Sequence, residues 1–134
     1  LAHCDGVTPD AAEVIIGGPM MGLAQSNLDA PVIKGTTGVV VLAAHETRGE
    51  IVYPCIHCGR CLDACPVFLN PSWLGDLARV KRYADMADYH LADCMLCGSC
   101  AYVCPSNIPL SQLFQASKVA LRRTLQAAQQ AGAA

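Results

Sequence analysis

The chain has 134 residues, enough for one modest core or for a small core with an appended cofactor module. Charged residues make up 15% and the formal net charge is -2, which supplies neither a basic field for nucleic acid nor a polybasic membrane patch. Hydrophobic residues reach 53%, yet the longest apolar run, Val39 to Ala44, is far short of the ~20 residues that cross a bilayer. That apolar surplus, together with a start at Leu1 rather than methionine, is expected of a piece of something larger that contacts further protein.

Residues 1–50 carry no cofactor motif. Glu13-Val14-Ile15-Ile16 is short, β-branched and bounded by Gly17-Gly18-Pro19, the pattern of a buried strand entering a tight turn. Pro31-Val32-Ile33-Lys34 and Gly38-Val39-Val40-Val41-Leu42 predict two more strands, with Gly35-Thr36-Thr37-Gly38 as a hairpin-like connection. Gly17 to Gly22 lacks the G-x-G-x-x-G register of a phosphate loop, so a structural turn is expected, with Met20 and Met21 filling a core or an interface. Cys4, beside His3, is expected to be a small buried apolar residue rather than a ligand. His45 and His90, like His3, stand alone and are taken as surface or hydrogen-bonded. A polar connector with His45, Glu46, Arg48 and Glu50 follows, and the composition change puts a boundary near residue 50.

Two copies of C-x-x-C-x-x-C-x-x-x-C-P come next: Cys55, Cys58, Cys61, Cys65 and Pro66, then Cys94, Cys97, Cys100, Cys104 and Pro105. In each, three thiolates two residues apart suit three iron corners of one cubane, and Gly59 and Gly98 let the backbone approach the cluster. In two-cluster chains the fourth cysteine ligates the other centre. Cys55, Cys58, Cys61 and Cys104 are therefore assigned to one 4Fe-4S cluster, and Cys94, Cys97, Cys100 and Cys65 to a second. Pro66 and Pro105 redirect the chain after the third ligand. Zinc prefers two ligand pairs across a longer spacer, and a disulfide framework belongs to small secreted chains; nine cysteines in this spacing match neither pattern. His57 lies inside the first loop, where it can tune potential without ligating iron. Arg60 is the nearest cation to the first centre, and Tyr102 is expected against a cluster or in the core.

Between Cys65 and Cys94 lie 28 residues with helix signals throughout, unlike the short β-rich link of small bacterial ferredoxins. Asn70 is an N-cap with Pro71 at the first helical position. Trp73, Leu74, Leu77 and Val80 predict one apolar face, and Lys81 and Arg82 close the helix on its dipole. A second helix is expected from Ala84 to Leu91 with Met86, Tyr89 and His90 inward, while Asp85, Asp88 and Asp93 stay solvated. Ser106 to Pro109 start a third, with Leu110, Leu113, Phe114, Ala120 and Leu121 apolar and Lys118, Arg122 and Arg123 toward its C-terminal half. The tail from 125 to 134 has no large apolar anchor beyond Leu125 and is expected to fray. The fold class is thus α+β: a partial β unit at 1–50, an α-helical ferredoxin-like module at 51–124, and a tail.

The combination of Gly17-Gly18-Pro19-Met20-Met21-Gly22, Lys34-Gly35-Thr36-Thr37-Gly38, Cys55-Ile56-His57-Cys58-Gly59-Arg60-Cys61 and Ala87 to Cys100 closely resembles the C subunit of the Rnf (Rsx) ion-translocating electron transport complexes, over residues 1 to about 123. The resemblance implies a peripheral subunit on the cytoplasmic face of a bacterial inner membrane, in a complex that passes electrons between ferredoxin and NAD and moves sodium or protons through membrane partners. It implies that the eight repeated cysteines are the two-cluster ligand set. The family's FMN and NADH sites would lie upstream of Leu1, and residues 1–50 would be the end of that region, including the last part of an SLBB-like β-grasp domain. His57 departs from the arginine common in the family.

This chain is accordingly expected to relay single electrons, with no general acid, base or nucleophile. A ferredoxin- or flavodoxin-like protein and the other subunits are the expected partners. The alternatives are a dicluster module of a soluble dehydrogenase or heterodisulfide reductase, against which the motifs at 17–38 argue, and a redox sensor with a labile cluster. A succinate dehydrogenase iron-sulfur subunit would need a plant-type cysteine set that is absent.

Overall fold

The computed structural model describes residues 5–47 and 51–131 and divides into two compact units, Leu1–Glu50 and Ile51–Ala134. His3, Cys4, Arg48, Glu50 and the last three residues of the tail lie outside the described residues.

In the first unit the β-branched strand β1 (Ala11–Ile16) is central, with β2 (Leu23–Ala24) and β3 (Val39–Ala43) antiparallel on either side. Val14 and Ile15 are adjacent and both buried, so each face of β1 carries one apolar anchor. They pair with Val41 and Val40 of β3. The chain leaves β1 through Gly17, whose φ of +107° favours glycine and whose N–H donates to Gly38 O at 2.9 Å. Gly22 then passes directly over Ile15, where a Cβ would lie 2.4 Å from Ile15 Cγ2. Residues 17–22 thus form a tight turn in which Gly17 serves the backbone conformation and Gly22 the packing on Ile15.

Two expectations for this unit need correction. Pro31 to Lys34 is not a strand: Pro31 has no N–H to donate, Val32 and Ile33 are 69% and 68% exposed, and the segment closes on itself through Thr36 N–H to Ile33 O at 2.9 Å. The branched residues of β3 pair instead with β1, and the two-residue β2 completes the sheet. Met20 and Met21 are exposed, so of the core or interface expected for them the core is excluded.

The second unit is helical: α1 (Arg60–Asp63), α2 (Pro71–Arg79), α3 (Tyr83–Asp88), a 3-10 turn at Leu91–Asp93, α4 (Ser99–Tyr102) and α5 (Leu110–Ala131). Its core joins Leu74, Leu77 and Ala78 of α2, Met86 of α3, Leu91, Ile108, and Leu110 and Phe114 of α5, with Cys61 and Cys100 at its edge. Asn70 caps α2 by accepting from Trp73 N–H at 3.1 Å through Oδ1, and Pro71 takes the first helical position. The buried stripe of α2 is Pro71, Leu74, Gly75, Leu77 and Ala78. Trp73 and Val80, expected inward, are exposed, and Trp73 sits edge-on to Tyr89 at 6.0 Å. Small residues take the inward places because α5 comes close: a Cβ on Gly75 would lie 2.7 Å from Leu110 Cδ2.

Helix α2 ends one turn earlier than its charges indicate. Lys81 has φ +58°, its N–H donates to Ala78 O at 3.1 Å, and Arg82 N–H donates to Leu77 O at 3.0 Å, the Schellman pattern with lysine where glycine is usual. Arg82 instead pairs with Asp85, expected to be solvated, and His90 turns outward at φ +59°. Helix α5 continues past residue 124, where the sequence suggests a frayed tail, to Ala131, as the high helix propensity of Ala and Gln favours.

Candidate metal centres

The two cysteine runs fold as copies 39 residues apart. His57 and Leu96 have φ +53° and +55°, Gly59 and Gly98 +79° and +81°, and Phe68 and Asn107 +55° and +51°. Helices α1 and α4 occupy the same offset and so do their hydrogen bonds: Ala64 N–H to Arg60 O is matched by Val103 N–H to Ser99 O, and Cys65 N–H to Leu62 O by Cys104 N–H to Ala101 O. Each run therefore makes a left-handed turn, a single helical turn and a second left-handed turn after the proline. That path sends the fourth cysteine away from the first three.

Its destination is the other run. One cavity is bordered by Cys55, Cys58, Cys61 and Cys104, and another by Cys65, Cys94, Cys97 and Cys100. These eight cysteines are free thiols, and among the described residues no group of three or more His, Cys, Asp or Glu side chains is placed to hold a metal ion. The thiols ring two cavities, as the corners of a polynuclear cluster require. Backbone N–H groups already aim at sulfur, His57 to Cys55 Sγ at 3.4 Å and Leu69 to Cys65 Sγ at 3.3 Å, and such bonds help set cluster potential.

The thiols differ in environment. Burial pushes the Cys100 thiol up to about 11, reinforced by Cys94, Cys97 and Cys61 nearby. Cys61 is raised by burial too, with Cys104, Cys55 and Cys58 adding to it. At Cys97 the hydroxyl of Ser99, 3.4 Å from Sγ, lowers the thiol below its ordinary value.

Several flanking residues sit elsewhere than expected. Arg60 lines an open surface groove with Tyr102 and Cys104, outside the first cavity, and Tyr102 is 82% exposed and packs in no core. The charged residues on the first cavity are Asp76 and Arg79, with His57 at its edge. No charged residue lines the second cavity, but Lys118 reaches the loop that opens its run, donating from Nζ to Ala92 O at 3.0 Å and to Cys94 O. Asp76, Arg79, Ser99 and Lys118 are functional candidates that motif spacing alone does not pick out. The repeat itself holds the signal, since the 39-residue offset carried past the prolines aligns Arg79 with Lys118 and Asp76 with Gln115.

Residues 54–108 match the family model of the 4Fe-4S dicluster domain. The chain is 44% identical over 118 residues, 88% of its length and 23% of the relative's, to the C subunit of the ion-translocating oxidoreductase complex of Rhodobacter capsulatus. It is 44% identical over 91 residues, 67% of the chain and 20% of the relative, to the C subunit of the proton-translocating ferredoxin:NAD(+) oxidoreductase complex of Clostridium ljungdahlii. A Na(+)-translocating counterpart from Acetobacterium woodii is 42% identical over 69 residues, 52% of the chain and 16% of the relative. The chain thus spans about a fifth of the length of these curated relatives. It carries a dicluster domain for two 4Fe-4S clusters, and it belongs, over the part it spans, to the family of C subunits of the ion-translocating oxidoreductase (Rnf) complexes.

Proposed function

We propose that this chain is the iron-sulfur relay portion of an ion-translocating oxidoreductase that passes electrons between ferredoxin and NAD. In this reading Cys55, Cys58, Cys61 and Cys104 hold one 4Fe-4S cluster and Cys94, Cys97, Cys100 and Cys65 hold the other. The observation that supports it is that Cys104 borders the cavity of Cys55, Cys58 and Cys61 while Cys65 borders that of Cys94, Cys97 and Cys100, which ties both sites into one folding unit. When bound, the clusters supply one-electron transfer. The residues of the chain hold the sulfurs apart, shield them with the core of the second unit, and direct N–H donors to Cys55 and Cys65.

The relatives' names support an assembly with other subunits and with a ferredoxin-like donor or acceptor. In our reading this chain alone turns over no substrate. We assign it to the cytoplasmic face of a bacterial inner membrane as a peripheral part; among the described residues no helix is long and apolar enough to cross a membrane. In the same reading, residues 1–50 are the end of an SLBB-like region, and no residue of 1–134 is assigned to an FMN or NADH site.

Anaerobic reconstitution followed by iron and sulfide determination tests the relay reading. About eight irons per chain are expected from two four-iron centres. Four irons, or stoichiometric zinc in protein purified without oxygen, would overturn it.

A further inference from the structure

The internal repeat makes each cluster loop a control for the other. In the second copy, the Lys118 ammonium on α5 bridges two carbonyls at the start of the run, Ala92 O and Cys94 O. The equivalent cation of the first copy is Arg79 on α2, and the equivalent carbonyls belong to Tyr53 and Cys55. Arg79 is exposed, lines the first cavity beside Asp76, and among the described residues makes no such bridge. At the position matching Asp76 the second copy has neutral Gln115. The second loop is therefore tied to α5 by a cation with no carboxylate at the matching place, whereas the first has a cation and a carboxylate side by side.

We propose that Lys118 is a positioning residue that holds the Cys94 end of the second loop and raises the reduction potential of the centre ringed by Cys94, Cys97, Cys100 and Cys65. The inference rests on the ligand sets proposed above. Reduction adds one negative charge to the cluster, and a fixed ammonium hydrogen-bonded to the carbonyl of a ligating residue stabilises the reduced state more than the oxidised one. Each bond to a carbonyl also restrains a chain segment that has only the short turn at Leu91–Asp93 before it. A methionine at 118 would keep the aliphatic stem against α5 and remove both effects, while arginine would keep the charge and donors.

The test is a potentiometric titration of the two-cluster chain, followed by electron paramagnetic resonance, for the unsubstituted protein, Lys118→Met, Lys118→Arg and Arg79→Met. The unsubstituted chain must first show about eight irons, which tests the ligand reading separately. In Lys118→Met, one centre is expected to show a reduced-to-oxidised ratio about tenfold lower at fixed ambient potential, equivalent to about 59 mV for one electron. That centre should be the one whose signal Cys97→Ser alters. Lys118→Arg should restore most of the shift, and Arg79→Met should leave this centre where it was. Deuterium exchange of the Ala92–Met95 amides in the loaded chain should quicken in Lys118→Met. An eight-iron Lys118→Met protein in which neither centre moves, both move equally, or only the centre altered by Cys58→Ser moves would overturn the proposal. Failure of Lys118→Arg to restore the potential would overturn it too.

Discussion

Gly59 and Gly98 sit at the junction where each loop turns into its short helix, at φ +79° and +81°. A side chain at Gly59 would meet no heavy protein atom within 4 Å, so its glycine is demanded by backbone conformation and not by protein packing. Gly59→Ala should destabilise the cluster-free chain by about 1–2 kcal/mol, read from denaturant unfolding. A change within experimental error would show that the left-handed turn is not held. Cys100 carries a pH dependence whose sign follows from its raised thiol. The folded chain without clusters keeps this proton up to about pH 11, against an ordinary 9.0, so the contribution is present below pH 9 and lost as pH rises toward 11. The melting temperature of the cluster-free chain should therefore fall between pH 8.5 and 10.5, and less so in Cys100→Ala, on the order of the shift that a buried thiol imposes.

Among the elements, α2 and α5 do most to hold the second unit together. Asn70→Ala should cost about 1 kcal/mol by removing the acceptor for Trp73 N–H, and Asn70→Asp should cost little, since aspartate caps as well. Phe114 is 1% exposed between the two helices, and Phe114→Ala should cost about 3–5 kcal/mol, measured by thermal or denaturant unfolding of the loaded chain. Removing residues 125–134 should leave that stability nearly unchanged, since the large buried side chains of α5 end well before them. The cap of α2 is legible in the sequence because Asn-Pro is a local signal. Its buried face is legible in part: Leu74 and Leu77 are buried as their spacing predicts, but hydrophobicity also favours Trp73 and Val80, whereas close approach of Leu110 selects Gly75 for smallness, a property of a partner 35 residues away. The same holds in the first unit, where Val32 and Ile33 have strand composition but β3 pairs with β1, across residues 17–38 and the strand β2 within them.

For the whole molecule, the repeat of C-x-x-C-x-x-C-x-x-x-C-P conveys almost everything about the candidate site, because ligand spacing and the proline bend are both local in sequence. The structure adds the backbone copies at a 39-residue offset and the two cavities that the exchanged cysteines complete. Charges near the cavities become visible only when the helices after each run are superposed in sequence. Arg60, close to the ligands along the chain, faces an open groove, while Arg79 and Lys118, distant along the chain, reach the first cavity and the second loop.

The exchange of fourth cysteines is tested most directly by electron paramagnetic resonance of reduced, reconstituted Cys104→Ser beside Cys58→Ser and Cys97→Ser. The crossed arrangement requires Cys104→Ser to perturb the same centre as Cys58→Ser and to spare the one that Cys97→Ser alters. If Cys104→Ser instead reproduces the spectrum of Cys97→Ser, each run completes its own cluster and the arrangement described for this chain is contradicted.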